Sequence, residues 1–226
     1  MTDRGQNNFI HMPGFATRLY AMLTNMEPIQ RQHHEIAVDL TSRVESGQIL
    51  DVGTGPGVLL AEIHRLTPRI ELHGLDISSS MIGLARERLR DIHTDLRVGD
   101  IRKTDYLDQF FDLVTSTGSF YLWDEPEKGL TEIHRILKPG SSAFIYETYR
   151  DHDEQKVLKA IQNNLRNENW IRRVLSPRFL MRQFQMAYST GEIAEIVKRT
   201  PFVNNFAIEK IVLGGLPAWL CIQMTR

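Results

Sequence analysis

The stretch from Ile49 to Leu60, ILDVGTGPGVLL, constrains the fold of this chain more than any other segment. It reads as a short apolar strand, a turn with three glycines and the first residues of a helix. A glycine turn between a strand and a helix lets the backbone approach a ligand closely and directs N–H groups towards it. The segment therefore predicts a nucleotide-binding turn.

Apolar strands and amphipathic helices alternate along the chain as far as Glu147. We predict strands over 49–52, 70–75, 96–100, 111–119 and 142–148, with the third ending at Asp100. Between them we predict helices capped by Ser78 or by a capping box of Asp124 and Glu127, the latter helix being stopped by KPG at 138–140. This alternation predicts an α/β fold with a doubly wound parallel sheet.

The pattern changes after the fifth strand. Residues 151–190 are predicted as a helical insertion, and a capped helix with two closing strands follows it. We expect one domain over 1–226, divided into an N-terminal helical lid (1–45), a ligand-binding core (46–150), the insertion as a substrate lid (151–190) and the closing elements (191–226).

Composition excludes several classes of protein. The 226 residues carry a formal net charge of -1, so no basic field favours nucleic acid. The single cysteine excludes an internal disulfide and favours a reducing compartment. Neither a secretory signal nor an apolar run of about 18 residues is evident. We therefore expect a cytoplasmic protein with no nucleic-acid partner; oligomeric state is not predicted.

The carboxylate of Asp51, two residues before the first glycine, indicates which nucleotide the turn binds. A dinucleotide would place its pyrophosphate there, and a carboxylate repels it. The spacing Gly53-x-Gly55-x-Gly57 is also one residue tighter than the dinucleotide pattern. S-adenosylmethionine (SAM) has no phosphate and carries a sulfonium and an ammonium group, which a carboxylate attracts. The sequence therefore favours SAM over NAD as the cofactor.

Further carboxylates end the next two predicted strands. Asp76 lies 19 residues after Gly57, where a carboxylate can accept hydrogen bonds from both ribose hydroxyls. Asp100 ends the third predicted strand, where it can accept from an adenine amino group. Either acid alone is as well explained by solvation or capping, but the set at consecutive strand ends favours a nucleoside site.

In order and at ordinary spacing, five motifs resemble those of the class I SAM-dependent methyltransferases: ILDVGTGPG, LHGLDIS, VGD, FDLVTSTGS and EIHRILKPG. The resemblance runs from Ile49 to Glu147 and is to the small-molecule type, the broad group that includes the ubiquinone/menaquinone methyltransferases. It implies a Rossmann-like, mostly parallel sheet of seven strands, with the last strand inserted antiparallel beside the sixth. The two predicted closing strands agree with that arrangement.

The resemblance also implies how SAM is held and that S-adenosylhomocysteine (SAH) is the product. The implied contacts are Asp51, Gly53 and Gly55 with the methionine part, Asp76 with the ribose, Asp100 and Ile101 with the adenine, and Ser116 and Thr117 on the methyl-transfer face. Ile77 is a further candidate contact of the cofactor. Tyr20, in the segment FATRLYAML, is the candidate aromatic residue that covers SAM. The alternative is that Tyr20 belongs to an ordinary packing face.

Methyl transfer needs a general base only when the acceptor is protonated. Glu147, at the end of the fifth strand, is the candidate base, and Tyr121 is the second candidate catalytic residue. The alternative for Glu147 is a cap or an ion pair. His33, His34 and Glu35 do not predict a metal site, because consecutive helical residues point about 100° apart.

We expect methyl transfer to a small, apolar acceptor by in-line displacement. The apolar and basic residues of 151–190 fit a lid over such an acceptor, a peripheral membrane contact or ordinary helical packing. Two alternative functions stay open, namely a non-catalytic SAM-binding partner protein and an aminopropyl-type transferase on the same fold.

Overall fold

A seven-stranded sheet organises the protein, whose computed structural model describes residues 24, 26–164 and 184–226. The strands are β1 (Gly47–Val52), β2 (Ile70–Asp76), β3 (Thr94–Val98), β4 (Phe111–Thr117), β5 (Leu137–Thr148), β6 (Phe206–Leu213) and β7 (Leu216–Thr225). The helices of the described residues are α1 (Glu27–Arg43), α2 (Val58–Leu66), α3 (Ser79–Arg88), α4 (Pro126–Ile136), α5 (Glu154–Asn164) and α6 (Thr190–Lys198).

The strands follow the order β3-β2-β1-β4-β5-β7-β6. The five strands from β3 to β5 pair in parallel, whereas β7 runs antiparallel between β5 and β6. The doubly wound, mostly parallel sheet and the inserted last strand are thus confirmed. The direction of winding reverses between β1 and β4, and ligands of such sheets bind at the carboxyl ends of the strands at this point.

Two apolar cores cover the two faces of the sheet. Ile49 on β1 points to the first face, which α1, α2, α3 and α5 cover. Leu50 points to the second face, which α4 and α6 cover with side chains such as Leu130 and Ile193. Successive side chains of β1 therefore point into two different buried layers, as expected for a strand that is covered on both faces.

Local capping agrees with the sequence at two helices. The hydroxyl of Ser78 accepts a hydrogen bond from the backbone N–H of Met81 (3.4 Å) at the start of α3. Ser189 and Glu192 form a complete capping box at the start of α6. These caps satisfy N–H groups that have no partner inside a helix.

The predicted capping box of Asp124 and Glu127 is wrong. Helix α4 begins at Pro126, whose fixed φ suits the first helical position, and Glu125 before it is left-handed with φ 51°. The two acids have charged partners instead, since Arg102 lies 2.6 Å from Asp124 and Arg199 lies 2.6 Å from Glu127.

Two predicted boundaries are also wrong. KPG does not stop α4, which ends at Ile136, because Lys138 and Pro139 already belong to β5. The residue before a proline is driven to an extended conformation, which suits a strand. Strand β3 ends at Val98 rather than Asp100, and Asp100 instead forms an isolated bridge with Lys103.

The two segments predicted as lids are described only in part. Residues 1–23, which include Tyr20, lie outside the described residues, and so do residues 165–183 of the insertion. Helix α5 lies near the start of the insertion, and it buries Val157 and Ile161 on the first face. In the described part of the chain no helix is both long enough and apolar enough to cross a membrane.

Candidate active site

The glycine turn at the carboxyl end of β1 is built against the end of β2. The backbone N–H groups of Gly53 and Thr54 donate to the carbonyl of Leu75 at 2.7 and 3.1 Å. Gly53, Gly55 and Gly57 all have left-handed φ values, between 53° and 74°. A Cβ at Gly53 would also lie 2.3 Å from Ser119 Oγ, so this position has no room for a side chain.

Asp76 connects the turn to β2. Its Oδ2 accepts from the backbone N–H of Gly55 (2.9 Å) and its Oδ1 accepts from that of Ser78 (2.8 Å). Burial raises the pKa of Asp76, and these two hydrogen bonds oppose the shift. Ile77 follows with 45% of its surface exposed, an apolar side chain open at the carboxyl end of the sheet.

Asp51 is a buried carboxylate with an unpaired oxygen. Only 2% of its surface is exposed, and its Oδ1 has no hydrogen-bond partner among the described residues. Burial raises the pKa of Asp51 to about 7, and the charge of Asp76 adds to the shift. The Thr54 hydroxyl lies near enough to oppose the shift, but its Oγ1 also lacks a hydrogen bond of ordinary geometry. A cation placed beside Asp51 would remove this electrostatic penalty.

The end of β4 closes the site on the other side of β1. Ser119 Oγ lies 2.8 Å from Ser116 Oγ, donates to the carbonyl of Val52 (3.2 Å) and accepts from Trp123 Nε1 (3.2 Å). This network fixes the loop after β4 against the loop after β1. Thr117, predicted on the methyl-transfer face, has no hydrogen bond at Oγ1.

Glu147 lies beneath the loop after β4. It is fully buried, its Oε2 accepts from the backbone N–H of Tyr121 (3.3 Å), and its Oε1 accepts from the backbone N–H of Thr148 (2.8 Å). Burial raises the pKa of Glu147 to about 7. Tyr121 is only 5% exposed and packs on the second face. The geometry thus gives Glu147 the position of a cap for the 119–121 loop.

The residues predicted beside adenine have partners of their own. Asp100 Oδ2 accepts from two nitrogens of Arg102 at 2.6 and 2.8 Å, and Asp100 Oδ1 accepts from the Arg102 backbone N–H (2.9 Å). The side chain of Ile101 is buried on the second face. Asp100 Oδ2 therefore already accepts two hydrogen bonds, whereas Oδ1 accepts one and keeps a lone pair for a ligand.

The consecutive residues His33, His34 and Glu35 have three separate contacts. His33 Nδ1 bonds the Ile29 carbonyl (2.8 Å), His34 Nδ1 lies 3.2 Å from Glu62, and Glu35 accepts from the Gly214 backbone N–H (2.7 Å). Among the described residues no cluster of three or more His, Cys, Asp or Glu side chains is arranged for a metal ion.

Unpaired buried polar atoms are concentrated at one edge of the sheet. Six such side-chain atoms occur among the described residues, and four of them lie on the first face, at the edge where the carboxyl ends of β1 and β4 meet the amino end of β7. These four, which we call the unpaired row, are Asp51 Oδ1, Thr54 Oγ1, Thr117 Oγ1 and Trp219 Nε1. Each unmet hydrogen bond costs about 1–3 kcal/mol, which marks this edge as a ligand site.

Sequence reasoning missed Thr54, Ser119 and Trp219. Thr54 and Ser119 lie within the motifs VGTGPG and STGS. The hydroxyl group that each places at a turn could have identified it as a candidate site residue. Trp219 gave no comparable signal, because its place depends on its pairing with Thr148 of β5, 71 residues away.

Comparison with known proteins supports a methyltransferase. Residues 49–140 match the family described as "Methyltransferase domain". An uncharacterized methyltransferase, YdaC of Bacillus subtilis, is 34% identical over 105 residues, which cover 46% of this chain and 58% of that protein. The demethylmenaquinone methyltransferase of Thermotoga maritima is 33% identical over 110 residues, covering 49% and 47%. The chain spans about half the length of the curated relatives it matches.

Solved structures show the same fold over nearly the whole chain. A SAM-dependent methyltransferase from Aquifex aeolicus superposes with a TM-score of 0.66 at 16% identity, covering 95% of this chain and 100% of that chain. The plantazolicin methyltransferase BpumL, solved with a triazolic desmethylPZN analog and SAH, has a TM-score of 0.72 at 15% identity, covering 99% and 97%. The fold is that of the class I SAM-dependent methyltransferases, and residues 49–140 are similar to a methyltransferase domain.

Proposed function

We propose that this protein binds SAM at the glycine turn and transfers its methyl group to a small, apolar acceptor. The observation that carries the proposal is the buried carboxylate of Asp51, which has an unpaired oxygen beside a turn of left-handed glycines. An ammonium group satisfies such a carboxylate, whereas a pyrophosphate would be repelled by it.

The neighbouring residues fit the remaining parts of SAM. Asp76 lies at the strand end where a ribose binds in related folds, and each of its oxygens keeps a lone pair beyond its backbone bond. The exposed side chain of Ile77 offers an apolar surface to the nucleoside. Asp100 and the backbone at Ile101 would border the adenine.

The protein's contribution to the chemistry is positioning and exclusion of water. When bound, SAM supplies a methyl group on a sulfonium; the carbon–sulfur bond breaks as the acceptor's electron pair bonds the methyl carbon, a protonated acceptor loses its proton and SAH remains. Ser116, Ser119 and Trp123 fix the loop after β4 on which the acceptor side is built. Glu147 holds that loop from below, so we assign it a positioning role rather than that of the base.

The relatives suggest an acceptor class. One matched relative is a demethylmenaquinone methyltransferase and another is a ubiquinone/menaquinone biosynthesis C-methyltransferase from Desulfotalea psychrophila, 34% identical over 103 residues. An apolar ring compound is therefore the first acceptor class to screen. Membrane contact through 151–190 stays a prediction, since residues 165–183 lie outside the described part of the chain.

Calorimetric titration with SAH, with SAM and with decarboxylated SAM tests the proposal. We expect micromolar binding of SAH and SAM, and methyl transfer from labelled SAM to a member of the acceptor screen. Tighter binding of decarboxylated SAM would favour the aminopropyl-type alternative. Binding of SAH without transfer to any acceptor would favour the non-catalytic alternative, and absence of SAH binding would overturn the proposal.

A further inference from the structure

Two members of the unpaired row lie beyond the glycine turn. Thr117 Oγ1 ends β4 and Trp219 Nε1 projects from β7, with β5 between the two strands. In the register of the sheet, Thr117 is opposite Tyr146 of β5, and Trp219 is opposite Thr148 of β5. Opposed residues point to the same face, and Tyr146 and Trp219 belong to the core of the first face. Both unpaired groups therefore face the same layer.

The tryptophan ring extends across β5 towards β4. Its Cη2 atom lies 3.8 Å from the point where a side chain at Gly118 would begin, and Gly118 directly follows Thr117. Trp219 is 7% exposed, and its indole N–H is withdrawn from water and has no partner in the part of the chain that the structure describes. The edge of the indole ring thus lies beside the residue that follows Thr117, which brings the tryptophan and the threonine to the same end of the sheet.

Neighbouring polar groups on the same face have their own partners. Thr115 Oγ1 donates to the carbonyl of Phe144 (3.0 Å), the Tyr146 hydroxyl donates to Asp39, and Thr148 Oγ1 donates to Glu147 (3.2 Å). Buried polar groups are normally satisfied in this way. Thr117 and Trp219, which have no such partner among the described residues, are therefore exceptions among the polar groups of β4, β5 and β7 on this face.

A ligand hydroxyl group can satisfy both members of the pair. An indole N–H only donates, whereas a threonine hydroxyl can also accept, so a ligand hydroxyl can accept from Trp219 and donate to Thr117. A carboxylate suits the region poorly, because Asp51 belongs to the same row and would repel it. The buried side chains of this face include the rings of Phe144 and Tyr146, so the rest of the ligand meets a largely apolar surface.

We propose that Thr117 and Trp219 together bind the hydroxyl group of the methyl acceptor, and that this acceptor is an apolar, uncharged molecule with such a hydroxyl. This proposal rests on the proposed function only in identifying the ligand as the methyl acceptor. The hydroxyl site itself is defined by the two unpaired groups. It assigns the residues binding roles and no proton transfer.

Three matched probes test the site on SAH-saturated and SAH-free protein: 1-naphthol, 1-methylnaphthalene and 1-naphthoate. We expect the wild type to bind 1-naphthol about tenfold more tightly than the methyl analogue, as one or two hydrogen bonds predict, and more tightly than naphthoate. Equal binding of 1-naphthol and 1-methylnaphthalene, or a preference for naphthoate, would overturn the proposal.

Trp219→Phe and Thr117→Val each remove one polar group while keeping most of the bulk. Each should reduce the preference for 1-naphthol over 1-methylnaphthalene by about fivefold and leave binding of 1-methylnaphthalene unchanged. Thr115→Val is the matched control, since it removes a paired hydroxyl on the same strand and face. It should lower thermal stability without changing the preference.

These outcomes separate the two proposals. If SAH fails to bind but the preference exists and depends on Thr117 and Trp219, the hydroxyl site stands and the proposed function fails. If SAH binds and the preference is unchanged in both variants, the proposed function stands and the hydroxyl site is wrong.

Discussion

The carboxylate of Asp76 accepts a hydrogen bond from the backbone N–H of Gly55 at 2.9 Å, across the gap between β2 and the turn after β1. The acid predicted to bind a ribose therefore also shapes the turn predicted to hold the methionine part of SAM. This hydrogen bond connects the proposed ribose-binding acid on β2 to the turn after β1 in the ligand-free protein. The two parts of the site are therefore preorganised for the ligand.

A first prediction concerns Gly55 itself. Gly55→Ala forces a Cβ onto a residue with φ 53° but meets no atom within 4 Å, so we expect a loss of about 1 kcal/mol in stability from backbone strain. Gly140→Ala is the matched control, with φ 79° and equally open space. SAH calorimetry should show weaker binding only for Gly55→Ala, because the added methyl group lies where the ligand approaches. Equal SAH affinities would contradict this placement.

Asp51→Asn should stabilise the ligand-free protein. Because the pKa of Asp51 is about 7 in the folded protein and 3.8 in the reference state, the folded state holds the proton more tightly. Its contribution to stability is complete below about pH 4 and is lost as pH rises to about 7. The stability of Asp51→Asn relative to wild type should therefore increase over this window, by up to about 1.4 kcal/mol per pH unit, and then level off.

Urea unfolding at a series of pH values between 4 and 8 measures that difference. A difference that does not change with pH would contradict the assignment of a protonated, uncompensated carboxyl group at Asp51.

SAH affinity should depend on pH through the same group. An ammonium ligand favours the charged form of Asp51, so wild-type affinity should increase as pH rises through about 7, with release of a proton on binding. Titrations in buffers of different ionisation enthalpy detect that proton. Glu147→Gln is the control, since Glu147 has a similarly raised pKa but caps the 119–121 loop, and the pH dependence of binding should persist in this variant.

The contact between Tyr146 and Asp39 gives a prediction about α1. The hydroxyl of Tyr146, on β5, donates to Asp39 of α1, and Arg43 forms a 2.9 Å ion pair with the same carboxylate. Tyr146→Phe should reduce stability by about 1–3 kcal/mol, because a charged acceptor loses a buried donor. Urea unfolding measures the loss, and SAH affinity should not change. An unchanged stability would show that the contact contributes nothing to docking of α1.

The core of the fold was predictable from sequence because its signals are local. The strand before Gly53, the cap at Ser78 and the capped helix before the two closing strands each depend on a few adjacent residues, and the structure confirms them. The wrong prediction at Asp124 has the same origin. Its spacing to Glu127 matches the local pattern of a capping box, but the structure pairs Asp124 with Arg102, 22 residues earlier.

The acceptor side of the site was less predictable. The position of Glu147 at a strand end was visible, but its full burial depends on the loop that carries Tyr121, 26 residues earlier. Trp219 joins the site only through the pairing of β7 with β5. Such non-local packing leaves no periodic signal in a single sequence.

Titration of wild type and Asp51→Asn with SAH at pH 7.5, with thermal unfolding of both ligand-free proteins, tests the central claim most directly. We predict micromolar binding by the wild type, binding at least about tenfold weaker in Asp51→Asn, and a higher melting temperature for that variant. Equal affinity in the two proteins, or no binding by either, would contradict a cofactor site built on Asp51.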